Sequence, residues 1–243
     1  MIDSVRNTVL AIMNKNNYGY MTPSDFNLYA KLAQIDVFRS LFSSYNTAIN
    51  MENVRKSGVG YADSSFDVQT TIEKFLVVED LLPGNVPPSF SLVTEYPLYR
   101  IEDVICFTTG DELTPKIYNG TAERISPIKA RQLNASLLTK PSKEFPVYTI
   151  IGDSLFVYPS FFVETGGVEV AYTRFPAVPK WTYTQVSPNV FVFNQSKSDY
   201  QDFELGEEYE DELVVKILQY AGISIRDAEV YAFSKQEQIK TEQ

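Results

Sequence analysis

The chain contains no histidine. That absence removes Ser-His-Asp and Cys-His catalysis, histidine-based metal sites and the usual general base near neutral pH. Cysteine is reduced to Cys106, within the apolar run Val104 to Phe107, so an internal disulfide and a multi-cysteine zinc site are excluded. With no imidazole to activate it, Cys106 reads as a buried strand residue rather than a catalytic thiol. Long apolar runs are missing as well. In the opening MIDSVRNTVLAIMNKNN the longest, Val9 to Met13, is too short for a signal-peptide core or a membrane span, which points to a protein kept in a cytoplasm without a membrane partner. No phosphate-binding loop pattern occurs, and the lone Gly58-Val59-Gly60 reads as a turn. No cofactor is expected. Basic charge is thin: 21 Lys and Arg against 31 Asp and Glu give a net charge of -10, with the cations scattered, which disfavours tight binding of nucleic acid.

What is present describes an ordinary globular chain of 243 residues, 44% hydrophobic and 21% charged. The most legible stretch is Phe145 to Arg174. Two apolar runs, Val147 to Ile151 and Leu155 to Tyr158, flank Gly152-Asp153-Ser154, whose glycine can take the positive φ of a tight turn. A third run alternates Val168, Val170 and Tyr172 with Glu169, Ala171 and Thr173, so the three runs together predict an antiparallel meander with one face on a core. Further strands are expected over Ile72 to Val78, Tyr99 to Thr108 and Val190 to Phe193. Arg174 to Trp181, rich in proline, reads as an extended arm.

Helices are expected at both ends. Asp3 can cap a short one to Asn14, and Thr22-Pro23 starts a helix of about 24 residues, roughly 36 Å, to about Asn46. On that helix Phe26, Tyr29, Ala30, Ala33, Val37 and Leu41 share one direction, while Leu28, Leu32, Ile35 and Phe42 point nearly the opposite way. A helix apolar on both sides must be covered on both sides, either by its own bundle or by a neighbouring subunit. Residues 51–63 read as a linker, and Ser126-Pro127 starts a short helix to about Leu138 carrying Ile128, Leu133, Leu137 and Leu138. Near the C-terminus, Glu207, Glu208, Glu210, Asp211 and Glu212 crowd the start of a helix with the inner stripe Leu213, Val214, Ile217, Leu218 and Ala221, ended by Gly222. The remaining segment is polar apart from Tyr231, Phe233 and Ile239. These elements predict an α+β fold: a helical domain of residues 1–66 and 200–243, with terminal helices in a bundle, and an inserted antiparallel β-rich domain of residues 67–199.

This order, together with YGYMTPSDFNLYAKLAQIDVF, FPVYTIIGDSLFVYP, YTRFPAVPKW and ELGEEYEDELVVKILQYAGISIRDAEVY, resembles the ring or neck proteins of tailed bacteriophages, nearest to those of crAss-like podoviruses. The resemblance implies a non-enzymatic virion protein, a head-to-tail connector or adaptor that forms a ring of twelve copies, contacts the portal and other neck and tail rings, and lets genomic DNA pass without gripping it. Its motifs dictate no binding residues. The surplus face of Leu28, Leu32, Ile35 and Phe42 is the candidate subunit interface, and Tyr231, Phe233 and Ile239 are the candidate portal contacts. Two other classes stay open: a histidine-free glycan hydrolase using carboxylates such as Asp153, Glu164 and Glu169, and a carbohydrate- or receptor-binding module with Trp181 as a stacking platform.

Overall fold

In chain order the elements are helices α1 (Ile2–Lys15), α2 (Pro23–Val54) and α3 (Ala62–Glu73), strands β1 (Leu76–Leu81), β2 (Ser89–Ser91), β3 (Leu98–Thr109), β4 (Lys116–Thr121) and β5 (Glu123–Arg124), helix α4 (Pro127–Ala135), strands β6 (Val147–Ile151) and β7 (Ser154–Tyr158), the short helix α5 (Phe161–Thr165), strands β8 (Gly166–Arg174), β9 (Tyr183–Ser187) and β10 (Val190–Phe193), and a 3-10 turn (Glu207–Tyr209) leading into α6 (Glu210–Ile225). They come from a computed structural model that describes residues 1–15, 21–54, 62–84, 86–110, 116–187 and 190–225. The fold is mixed α+β. The chain divides into two compact units, Met1–Lys74 with Pro176–Gln243, and Phe75–Phe175. The sequence drew its boundaries at 66/67 and 199/200, whereas the β9-β10 hairpin belongs with the helical unit, because Trp181, Tyr183, Phe191 and Phe193 form one aromatic stack there.

In the first unit α6 packs against both α1 and α2, and α3 lies beside α2. The stripe predicted for α6 is buried in full: Leu213, Val214, Ile217, Leu218 and Ala221. On the inner stripe of α2, Phe26, Ala30, Ala33, Val37 and Leu41 are buried and Tyr29 is half-buried. Tyr220 on α6 stacks on Tyr29 of α2 and donates its hydroxyl to Asp36, about two turns further along. Gly222 does not stop α6; it is buried within a helix that continues to Ile225, where packing against neighbours outweighs a glycine penalty of about 1 kcal/mol. Helix α2 also outruns its predicted end at Asn46, reaching Val54, so the expected linker starts later; Gly58 and Gly60 lie outside the described residues.

The second unit holds two four-stranded sheets, ordered β1-β8-β3-β4 and β2-β7-β6-β5. Their pairings are antiparallel except for the two-residue contact of β5 with β6. Val104, Cys106, Val168, Val170 and Tyr172 from the first sheet meet Phe90, Tyr148, Leu155 and Val157 from the second in one core. The hairpin β6-β7 forms as predicted, in the register Ile151↔Ser154, with Gly152 at φ +59° in the turn. The predicted three-stranded meander does not. After β7 the chain turns through α5, and β8 joins the other sheet between β1 and β3. The alternation of β8 was read correctly, since Val168, Val170 and Tyr172 are all fully buried, but its partners are remote in sequence. The strand expected over Ile72 to Val78 is likewise shifted: α3 runs to Glu73 and β1 starts at Leu76, with the buried Phe75 at the junction.

Candidate functional site

Helix α2 supplies the first candidate surface. Thr22 accepts from the backbone N–H of Asp25 at 3.2 Å and donates to its carboxylate at 2.6 Å, which fixes the helix start and therefore the rotation of every later residue. At 3.6 residues per turn, Leu28 and Leu32 fall one turn apart on the side opposite the buried stripe. They are 54% and 37% exposed. Ile35, next along that face, is half-buried, and Phe42 is buried edge-on against Phe38 with ring centroids 5.1 Å apart. The surplus face is thus open at its N-terminal end and closed by its own chain toward the C-terminal end. Phe42 is not an exposed interface residue. Tyr231, Phe233 and Ile239, the candidate portal contacts, lie outside the described residues.

The proline-rich arm that follows β8 is strapped to α2 by side-chain amides. Gln34, fully buried, donates to Ala177 O at 2.7 Å and accepts from Glu204 N at 3.1 Å. Asn27 accepts from Trp181 N at 2.8 Å and donates to Trp181 O at 3.1 Å. Trp181 itself is 1% exposed, its indole N–H donated to Asp3 on α1 at 2.9 Å. The Arg6 guanidinium lies 3.8 Å from the ring centroid, and Tyr183 and Phe193 stack on it. Its ring faces are occupied by the protein, which withdraws Trp181 as a platform for a sugar.

The carboxylates considered for hydrolysis do not converge. Asp153 sits in the exposed turn of β6-β7, Glu164 is exposed on α5, and Glu169 belongs to β8 in the other sheet. Glu169 accepts from Lys116 Nζ at 2.9 Å and from the Tyr118 hydroxyl at 3.3 Å. Lys116 also holds Asp80 at 2.6 Å, and that hydrogen bond, with the contribution of Glu169 added, pushes its pKa up to about 12 against the opposing cost of desolvation. This is an ion-pair network across β1, β8 and β4, which ties three strands together. Cys106 is buried, and that burial pushes its thiol up to about 12, so it stays protonated and unreactive. Among the described residues no group of three or more His, Cys, Asp or Glu side chains could hold a metal ion, and no helix is long and apolar enough to cross a membrane.

A second surface escaped the sequence reading. Ser126 caps α4 through the N–H of Lys129 at 3.3 Å, as its Ser-Pro start predicts. The helix then ends at Ala135, short of the predicted Leu138, and buries Ala130 and part of Leu133 against Ile125 and Val147. Ile128 is left 72% exposed, and Leu137 and Leu138, carried in the turn beyond the helix, are 98% and 97% exposed. Asn134 and Ser136, weak helix formers on either side of Ala135, were the available signal for the early stop.

The acidic start of α6 is the third feature. Glu207 and Glu208 occupy the 3-10 turn, and Glu210 and Asp211 open the helix proper, where carboxylates are favoured by the macrodipole. Glu212 turns inward enough to accept from the Ser40 hydroxyl at 3.4 Å. No protein-family model matches the chain, and no curated protein is similar enough to count as a relative.

Proposed function

We propose that this protein is a structural assembly subunit: a head-to-tail connector of a tailed bacteriophage, forming a ring beneath the portal, joining it to the tail and lining the path of the DNA. In this reading the terminal helices form the packed annulus of a helical bundle, and the antiparallel β domain inserted between them projects toward the next ring. The partners are further copies of the chain, twelve to a ring, the portal protein and other neck and tail rings, and the place of action is the virion.

The observation that carries the proposal is the open N-terminal end of the outer face of α2. Leu28 and Leu32 stand in solvent on a helix whose other side is fully packed, and paired large aliphatics at one-turn spacing are suited to a neighbouring helix. The net charge of -10 suits a conduit, since a negative wall does not hold phosphate. The test is native mass spectrometry and negative-stain imaging of the purified chain, alone and mixed with portal assemblies. A ring of uniform copy number that seats on the portal is expected. A chain that stays monomeric and never joins the portal overturns the proposal.

A further inference from the structure

The α4 tip has an electrostatic character opposite to that of the whole molecule. Residues 124–143 carry Arg124, Lys129, Arg131, Lys140 and Lys143 and no Asp or Glu, in a chain with net charge -10. All five cations are exposed. Lys143 places its ammonium over the Phe161 ring at 3.4 Å, whereas Arg124, Lys129, Arg131 and Lys140 make no ion pair among the described residues. Interleaved with these charges in the sequence are the exposed Ile128, Leu137 and Leu138. An exposed aliphatic turn flanked along the chain by cations that make no ion pair fits an acidic protein surface: carboxylates meet the cations while the surrounding protein removes the leucines from water.

The chain carries such a surface. Its start of α6 presents Glu207, Glu208, Glu210 and Asp211 within one helical turn, none paired with a cation among the described residues. No basic residue lies between Lys197 and Lys216. We propose that the α4 tip, through Arg131, Lys140, Leu137 and Leu138, docks on the acidic start of α6 in a second copy of the chain. Two different patches joined in this way make a heterologous contact, the kind that propagates from copy to copy and closes into a ring when the rotation allows. The inference rests on the assembly reading above and names the charged contact within it. Duplex DNA would meet the cations and leave the leucines wet. An anionic lipid surface would meet both, against the repulsion of the remaining, strongly negative molecule.

The two patches can be tested separately because each copy uses one of each. Sedimentation velocity would compare the wild-type chain, the tip reversal Arg131→Glu with Lys140→Glu, and the face reversal Glu207→Lys with Glu208→Lys, all checked for folding by far- and near-UV circular dichroism, which reads both units. The wild type is expected to associate at low salt and to loosen as salt rises. Each reversal alone should weaken association by about tenfold or more, and an equimolar mixture of the two reversals should regain it, because each then offers the sign the other lacks. A Leu137→Ser variant with wild-type charges should weaken association at high salt as well as low. Association untouched by either reversal overturns the tip contact while leaving the assembly reading intact. Failure of the wild type to associate, coupled with binding to phosphatidylserine vesicles or to duplex DNA that only the tip reversal abolishes, overturns it in favour of that partner. Absence of both self-association and portal binding removes the assembly reading as well.

Discussion

Trp181 is the only tryptophan and is buried at the meeting of the arm, α1, α2 and the β9-β10 hairpin. Its fluorescence therefore reports on the packing of the first unit. Trp181→Phe keeps an aromatic ring in the stack but leaves the Asp3 carboxylate without its indole donor. Losing one such bond costs about 1–2 kcal/mol, read as a lower urea midpoint by circular dichroism. Asp202 plays a comparable part at the start of α1: it accepts from Ile2 N at 2.7 Å, Phe203 N at 2.8 Å and the terminal amine at 3.1 Å. Burial alone would raise its pKa, but the amide donors of Ile2 and Phe203, helped by the amine, outweigh it and hold the carboxyl below its ordinary value. A depressed carboxylate contributes stability that is present in full above the unfolded value and is lost as pH falls through the folded one. Asp202→Asn should thus lower the unfolding free energy at pH 7 by about 1 kcal/mol, the worth of a helix cap, read from urea unfolding curves. The two proteins should converge only as pH falls below the ordinary carboxylate range and through the depressed folded value, where the wild-type carboxyl is protonated too. A constant difference down to pH 2 would show that charge on Asp202 does not matter.

At the scale of elements, what could be read in the sequence was what depends on near neighbours. The stripes of α2 and α6, the Gly152 hairpin and the Ser126 cap each rest on spacings of a few residues, and each formed as read. Helix ends and strand partners did not obey the same rule. Strand β8 joins a different sheet from the one the meander reading gives it, and the smallness of Gly166 and Gly167 at its start serves the approach of β3. A Cβ on Gly166 would come within 2.0 Å of Phe107 O, and one on Gly167 within 2.4 Å of the Phe107 ring. The partner that dictates these glycines lies some sixty residues earlier, which no local pattern reports. Gly166→Ala should consequently break the end of the β3-β8 ladder, with a loss above about 2 kcal/mol, whereas Gly152→Ala has open space around it and costs only the positive φ, about 1 kcal/mol. Amide hydrogen exchange along β3 and β8 separates the two: the first variant should lose protection there, the second only around the turn.

At the scale of the whole molecule, the question is whether an apolar residue on a helix serves the monomer or the assembly. Periodicity placed Leu28, Leu32, Ile35 and Phe42 on one face of α2, but how far its own chain covers that face is set by α3 and α6 and is not encoded in α2. Coverage separates the four: Phe42 is core and Leu28 and Leu32 are surface. The tip of α4 shows the same dependence on context, since Leu137 and Leu138, expected on the helix, stand in solvent beyond its end at Ala135. Substitution should reproduce this division in measurable terms. Phe42→Ala opens a cavity beside Phe38 and should cost about 3–5 kcal/mol of monomer stability whatever the state of assembly. The double variant Leu28→Ser with Leu32→Ser removes solvent-facing side chains, and its unfolding free energy under dissociating conditions should stay within about 0.5 kcal/mol of wild type. Its ring, by contrast, should fail to form in native mass spectra. If the double variant assembles normally, the open end of α2 is ordinary exposed surface and the subunit contacts lie elsewhere.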